Sequence, residues 1–386
     1  MTKNKPKRYG MPYKGSKNKI AEKIIDVLPN GACFVDLFGG GGAMTHCAAL
    51  SGKYKKIIYN EIDPFVTKGF KMCANGDFKN ENRWISREKF YLLKDTDPYV
   101  AICFSFGNNL RNYCYSAEIE PWKKALHYAK VFEDYSKLAE FGIISDGSRK
   151  DIKKNHKEYK EKYIQWYLKS VLNSKKSYEE LKENLESNIK NKKAELQAYL
   201  VEALKQSGLT RAEVDRKLGT NGMANHYFSN SQWEFPTREK YNQMREFMPL
   251  PKDYEEIYGL QTLLQNLENL ENLQNLENLE NLENLQNLES LENIDISIQN
   301  NSYENVEIPE NSVIYCDVPY KDTDEYKIKF DYDKFYDWRR GQNSTVYISE
   351  YQMPDDFIEV ANFPKKCTFS ARNNKKQTIE KLFRNK

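Results

Sequence analysis

The stretch that decides the fold is Ala32-Cys33-Phe34-Val35-Asp36-Leu37-Phe38-Gly39-Gly40-Gly41-Gly42. Its first seven residues, apolar apart from one acid, read as a buried strand. The glycines form a turn into a helix expected over Ala43 to Leu50. Strand, glycine turn and helix make the βα unit whose bare backbone lets a ligand come close. From the glycines alone, a plain flexible turn would look the same. Downstream, Lys56-Ile57-Ile58-Tyr59 reads as a second strand that ends in Asn60-Glu61-Ile62-Asp63. An acid at that end can accept hydrogen bonds from ribose hydroxyls, so loop and acid together point to a nucleoside cofactor on an α/β core.

The glycines are not followed by Gly-Lys-Ser or Gly-Lys-Thr, which argues against a nucleotide-hydrolysing phosphate loop. Phe38 and the acid before it suit a cofactor with an amino-acid end, and S-adenosylmethionine fits that description. Upstream, Tyr13-Lys14-Gly15-Ser16-Lys17 feeds a helix with Ile20, Ile24, Ile25 and Leu28 at helical spacing. The amides at such a start can meet a carboxylate or phosphate, although ordinary capped helices begin the same way.

A third stretch, Ser312 to Tyr320, reads SVIYCDVPY. Val313, Ile314 and Tyr315 are β-prone, and the run then breaks into Asp317-Val318-Pro319-Tyr320. An acid, a proline and a ring at the C-terminal end of a buried strand stand where open α/β sheets bind ligands. An Asp-Pro turn is the plain alternative.

The chain has 386 residues, enough for two domains or for one core with a large insertion. Its net charge of +3 means that any nucleic-acid surface must be local. The 27 tyrosines supply rings that stack while still hydrogen-bonding. Seven cysteines lie singly and only four histidines accompany them, so we expect reduced thiols, no disulfide framework and no metal site. No apolar run reaches membrane-spanning length and the Lys-rich start has no signal-peptide core, so a cytoplasmic protein is expected.

Four regions are expected. Residues 1–100 hold the cofactor half of the core and 101–258 a mainly helical insertion. Residues 259–293 are a Leu-rich triplet array, and 294–386 hold the catalytic half. Within the insertion, Thr210 caps a short helix in a capping box with Glu213, Gly219 ends it, and Met223 to Phe228 follows. Helix, glycine turn and helix resemble a helix-turn-helix reader of DNA, with an ordinary helical hairpin as the alternative. Asn225, His226, Ser231 and Gln232 suit base edges, and Arg211, Arg216 and Lys217 suit phosphates. In the array, an α-helix would let a period-three leucine stripe drift about 60° per triplet. It therefore reads as a spacer. Beyond it we expect strands at Ile294 to Ile298 and Ser344 to Ser349, and a helix over Phe330 to Trp338. A last edge strand at Cys367 to Ser370 would precede a basic tail with Arg372, Lys375, Lys376 and Lys381.

The ordered set YKGSK, FVDLFGGGGA, YNEID, a long insertion and IYCDVPY resembles the Dam-like, D12 class DNA adenine-N6 methyltransferases. The resemblance covers about residues 9 to 65 and 294 to 386. It implies a Rossmann-like S-adenosylmethionine-dependent core with an inserted recognition region. Asp36, Phe38, Gly40 and Gly42 match the family's cofactor loop, Glu61 its ribose acid, and Tyr13, Gly15 and Lys17 its N-terminal cofactor-contacting stretch. Tyr303 matches an aromatic beside the cofactor adenine, with Ser302 in place of the family's acid. Asp317, Pro319 and Tyr320 match the catalytic tetrapeptide D-P-P-Y, in which Val318 replaces the first proline.

The implied reaction is methylation of an adenine N6 amine after base flipping, on double-stranded DNA, without a metal. We further expect a monomer in a bacterial or phage setting, the phage origin suggested by the triplet array, with a cognate restriction endonuclease as a further partner to test. Two alternatives stand beside it: an inactive DNA-binding relative, prompted by Val318 and Ser302, and a cytosine-N4 methyltransferase, whose tetrapeptide usually begins with Ser.

Overall fold

The computed structural model describes residues 8–145, 147–229, 231–250, 255–273, 276–319, 330–366 and 377–385. The chain packs as two compact units, one from Met1–Tyr115 with Leu276–Lys386, the other from Ser116–Asn275.

The first unit is built on a seven-stranded sheet. Its strands are β1 (Gly31–Asp36), β2 (Tyr54–Asn60), β3 (Ile296–Gln299), β4 (Ser312–Cys316), β5 (Val346–Glu350), β6 (Phe357–Lys366) and β7 (Gln377–Asn385), in the order β3-β2-β1-β4-β5-β7-β6. From β3 to β5 all neighbours are parallel, whereas β7 runs antiparallel to both β5 and β6. The helices α1 (Ala21–Val27) and α2 (Ala43–Ser51) cover one face, where Ile24, Ile25, Met44 and Ala48 meet Phe34, Ile57, Val313 and Tyr315. On the other face, Cys33, Val35, Ile58, Ile314, Cys316 and Ile348 pack with Phe335 of the helix Tyr332–Arg340. A strand buried on both faces has to be apolar throughout, which is why β1 and β4 read as unbroken hydrophobic runs. Each fully buried aliphatic or aromatic residue contributes roughly 1.5–3 kcal/mol. This mostly parallel sheet with helices on both faces is compatible with a methyltransferase core.

The expected edge strand Cys367 to Ser370 lies outside the described residues, as do Arg372, Lys375, Lys376 and the loop expected over Asp322 to Tyr326. The last two strands among the described residues are β6 and β7, which the sequence reading did not expect; Lys381, expected in a basic tail, lies in β7 and bonds Glu359 at 2.8 Å. Period-two reading missed β6 because the register shifts between Glu359 and Ala361, and because Pro364 and two lysines interrupt the pattern.

The second unit is helical. Its longest element, Tyr178–Ser207, starts at a Ser177–Glu180 capping box and ends at left-handed Gly208. Its helix Arg211–Leu218 has the expected Thr210–Glu213 box and stops at Gly219, before Met223–Tyr227. Asp215 ties the two helices together, accepting from Thr220 Oγ1 (2.6 Å) and from the Gly222 and Ala224 amides (3.0 Å each). Burial opposes its ionisation, yet these hydrogen bonds outweigh it and hold the carboxyl below its usual range.

The triplet array is core, not spacer. Leu267, Leu270 and Leu273 are buried in the second unit, and Leu276, Leu282, Leu285, Leu288 and Leu291 in the first. The drift expected of an α-helix is interrupted: α-helical Glu255–Asn269 and Glu277–Gln286 alternate with 3₁₀ turns at Leu270–Asn272 and Asn287–Leu291. Three residues complete a 3₁₀ turn, so in those pieces leucines three apart lie on one side. Along Glu277–Gln286 the drift brings asparagines inward as well. Tyr115 donates to Asn278 Oδ1 at 2.7 Å, and Asn281 Nδ2 donates to the Ile102 and Cys103 carbonyls.

Candidate active site

The C-terminal ends of β1, β2 and β4 lie side by side, because Asp36 pairs in register with both Tyr59 and Tyr315. The loop after β1 turns on glycines. Gly42 has φ +69°, and a Cβ there would come within 2.1 Å of the Phe70 ring, so no larger residue fits. The Gly40 amide donates to Glu61 Oε2 at 2.8 Å, and Tyr59 Oη donates to the Gly40 carbonyl at 2.7 Å. The Asp63 amide donates to Glu61 Oε1 at 2.9 Å. Glu61 is thus clamped at the end of β2 by two backbone amides. Burial raises its carboxyl above the usual range, against the lowering by those same amides.

Asp36 is buried under the loop, and its Oδ2 accepts from the amide (3.1 Å) and hydroxyl (2.7 Å) of Thr45. Burial pushes its carboxyl up to about 7; the Thr45 bonds oppose this, and the charges of Asp317 and Glu61 add to it. The ring of Tyr13 lies 3.2 Å from where a Cβ on Gly40 would be, so the N-terminal stretch packs directly on the glycine loop. Gly15 takes φ +80° in the turn between them. Phe38 joins an aromatic cluster with Tyr303 (5.5 Å between centroids), Phe330 and Phe335. Ser302 Oγ donates to Glu304 at 3.4 Å.

At the end of β4, Asp317 is partly exposed and Val318 is buried against the apolar face that includes Phe335. Tyr332 Oη donates to the Pro319 carbonyl at 2.8 Å, which fixes the backbone just after the acid. Tyr320 lies outside the described residues. The sequence reading missed one interaction here. Lys17 Nζ reaches both oxygens of Asp317, at 2.5 and 2.6 Å, and lies 3.6 Å from Glu380 Oε1 of β7. Only the apolar run ending at Asp317 and the lysine two residues after Gly15 hinted at it.

The structure therefore brings together Tyr13, Lys17, Asp36, Gly40, Gly42, Glu61 and Asp317, with Phe38 and Tyr303 paired beside them. In the second unit, Arg216, Lys217, Asn225 and Gln232 are exposed. Arg211 donates to the Phe228 carbonyl at 2.9 Å, and the His226 ring faces the Gln232 carbonyl at 3.3 Å, so both also serve local structure. Among the described residues no helix is long and apolar enough to cross a membrane, and no cluster of metal-ligating side chains is found.

A search of curated proteins finds no match to the chain. A family comparison does: the match runs over residues 13–189, just under half the chain, and takes in the glycine loop, Glu61 and Lys17 but not Asp317. Those residues match the family model of the D12 class N6 adenine-specific DNA methyltransferases, a match that implies an adenine-specific DNA methyltransferase.

Proposed function

We propose that the protein transfers a methyl group from S-adenosylmethionine to the N6 amine of an adenine turned out of double-stranded DNA, and that Asp317 is the residue that receives the amine. The observation that carries this reading is the meeting, at one sheet edge, of a clamped carboxylate, a glycine loop and a partly exposed carboxylate on adjacent strands β2, β1 and β4.

The residues fit the cofactor. Each Glu61 oxygen accepts one backbone amide, and a carboxylate has about four acceptor positions, so capacity remains for a ribose diol. The glycine loop keeps side chains clear of a ligand lying over β1. Tyr13, Gly15 and Lys17 would line its other side, with Phe38 and Tyr303 offering ring faces near the adenine. When bound, S-adenosylmethionine supplies an electrophilic methyl on a cationic sulfur, so the protein's task is to prepare the amine.

That amine is conjugated with its ring and is a weak nucleophile. Asp317 Oδ accepts one of its N–H bonds and the Val318 carbonyl the other, since Tyr332 already engages the Pro319 carbonyl. Two acceptors on one nitrogen draw it toward tetrahedral geometry, which is positioning and electrostatic catalysis. Asp317, which accepts an N–H of N6 at its Oδ, would take up the proton that the amine gives up when it gains the methyl. Tyr320 follows directly in sequence as the ring on which the flipped base would stack.

The helical hairpin of the second unit is the proposed DNA reader. Asn225, His226 and Gln232 would meet base edges, and Arg211, Arg216 and Lys217 phosphates. We assign the protein to the cytoplasm of a bacterium or phage host, acting as a monomer.

Substituting Asp317→Ala tests the reading through transfer of labelled methyl to DNA and through cofactor binding by calorimetry. Transfer should fall by at least about 10²-fold, the scale seen when an electrostatic group at the reacting centre is removed, while cofactor binding persists. Full activity in this variant would refute the assignment, and N4-methylcytosine as the product would replace adenine with cytosine.

A further inference from the structure

Glu380 lies in β7, paired in register with Phe363 of β6, and is fully buried. A carboxylate there costs more to bury than an apolar residue would, unless a cation offsets it. The cation is Lys17. Its ammonium is buried as well, at 2% exposure, and is shared between Glu380 Oε1 at 3.6 Å and the two oxygens of Asp317 at 2.5 and 2.6 Å. Three elements distant in sequence, the N-terminal turn, the end of β4 and β7, therefore converge on one ammonium.

From this geometry we propose that Glu380 is a positioning residue for methyl transfer: it acts through Lys17, keeping the ammonium charged and offering it an alternative partner, so that Asp317 can turn an oxygen to the target amine. The proposal rests on the reading of Asp317 as the amine's acceptor.

Lys17 engages both oxygens of Asp317 and so limits how they can turn toward an incoming N–H; a second carboxylate behind the ammonium weakens that hold. Asp36 and Glu61 lie close enough to act on one another and on Asp317, and Tyr315 and Cys316 of β4 face the same charges. Lys17 is the cation that Asp317 and Glu380 share. Removing one negative charge from this set lowers the pH at which Lys17 loses its proton and turns the ammonium more fully onto Asp317.

Glu380→Gln keeps the shape and removes the charge. In steady-state transfer from labelled S-adenosylmethionine to genomic DNA free of N6-methyladenine, kcat should fall about tenfold while KM for both substrates stays within about twofold. The alkaline limb of kcat should also move down by about one pH unit, the scale expected for removal of a charge a few ångströms away. Glu380→Asp, which keeps the charge at longer range, should fall between wild type and the Gln variant in both respects. A Gln variant with wild-type kcat and pH profile overturns the proposal. So does a loss shared equally by the Asp variant, or one seen only in the melting temperature, because either marks a packing role. If the Gln protein does not fold, the Asp variant decides alone, and an unmoved alkaline limb refutes the role. Asp317→Asn is run alongside. If it retains full transfer, the underlying reading of Asp317 has failed; if it is inactive while Glu380→Gln behaves as wild type, only the role of Glu380 has.

Discussion

Asp36 commits its one hydrogen-bonded oxygen to Thr45 and is otherwise enclosed, so its charge is disfavoured and its carboxyl is pushed up to about 7. The sign follows from linkage. Between the ordinary aspartate value near 4 and about 7, the folded protein binds more protons than the unfolded chain, so stability is highest at the acid end of that window and is lost as pH rises through it. Asp36→Asn keeps an acceptor for Thr45 and removes the titration. It should therefore melt a few degrees above wild type at pH 8, with the gap closing toward pH 4, at roughly 2–4 °C per kcal/mol for a unit of this size. The same substitution should weaken cofactor binding. Identical pH dependence of melting in the two proteins would rule out burial of Asp36 as the cause. At this scale the sequence was legible where backbone dictates identity, as at Gly42 with its positive φ. It was not legible for Glu380, an acid in a polar-looking strand whose meaning depends on a lysine at the other end of the chain.

Among the elements, the strands of the parallel core could be read from the sequence, since a strand covered on both faces has few ways to be spelled. So could the helix after Thr210, because its cap is local chemistry. The triplet array could not, because its period matches neither an α-helix nor a strand; it fits only when the chain alternates α and 3₁₀ turns. Those turns are chosen by tertiary packing, not by local preference. It follows that the array carries stability. Leu285→Ala should cost about 2–5 kcal/mol, as for other buried leucines. Asn281→Ala, which strands the Ile102 and Cys103 carbonyls, should cost about 1–3 kcal/mol. Chemical denaturation of each variant measures both. An exposed leucine of similar helical setting, Leu92, serves as the control and should change little on substitution. Wild-type midpoints for the array variants would return it to the status of a spacer.

For the whole molecule, a net charge of +3 cannot bind DNA by bulk attraction, so the salt dependence of binding should trace to a few residues. Replacing Arg216 and Lys217 with Ala should reduce the slope of log affinity against log salt by about one for each phosphate no longer neutralised, across all sequences alike. An unchanged slope would move the proposed DNA surface elsewhere. The sheet order has a further consequence, for biosynthesis. Val35 and Ile314 are neighbours across the β1–β4 ladder yet stand roughly 280 residues apart, a closure whose entropic cost grows only slowly with length. On the ribosome, at about 5–20 residues per second, β1 waits on the order of 15–60 s for the strand that will sit beside it. During that interval its inner edge offers unpaired amides and carbonyls to any passing strand. The newborn chain is therefore most open to misassembly while the strand that pairs with β1 on its inner side is missing.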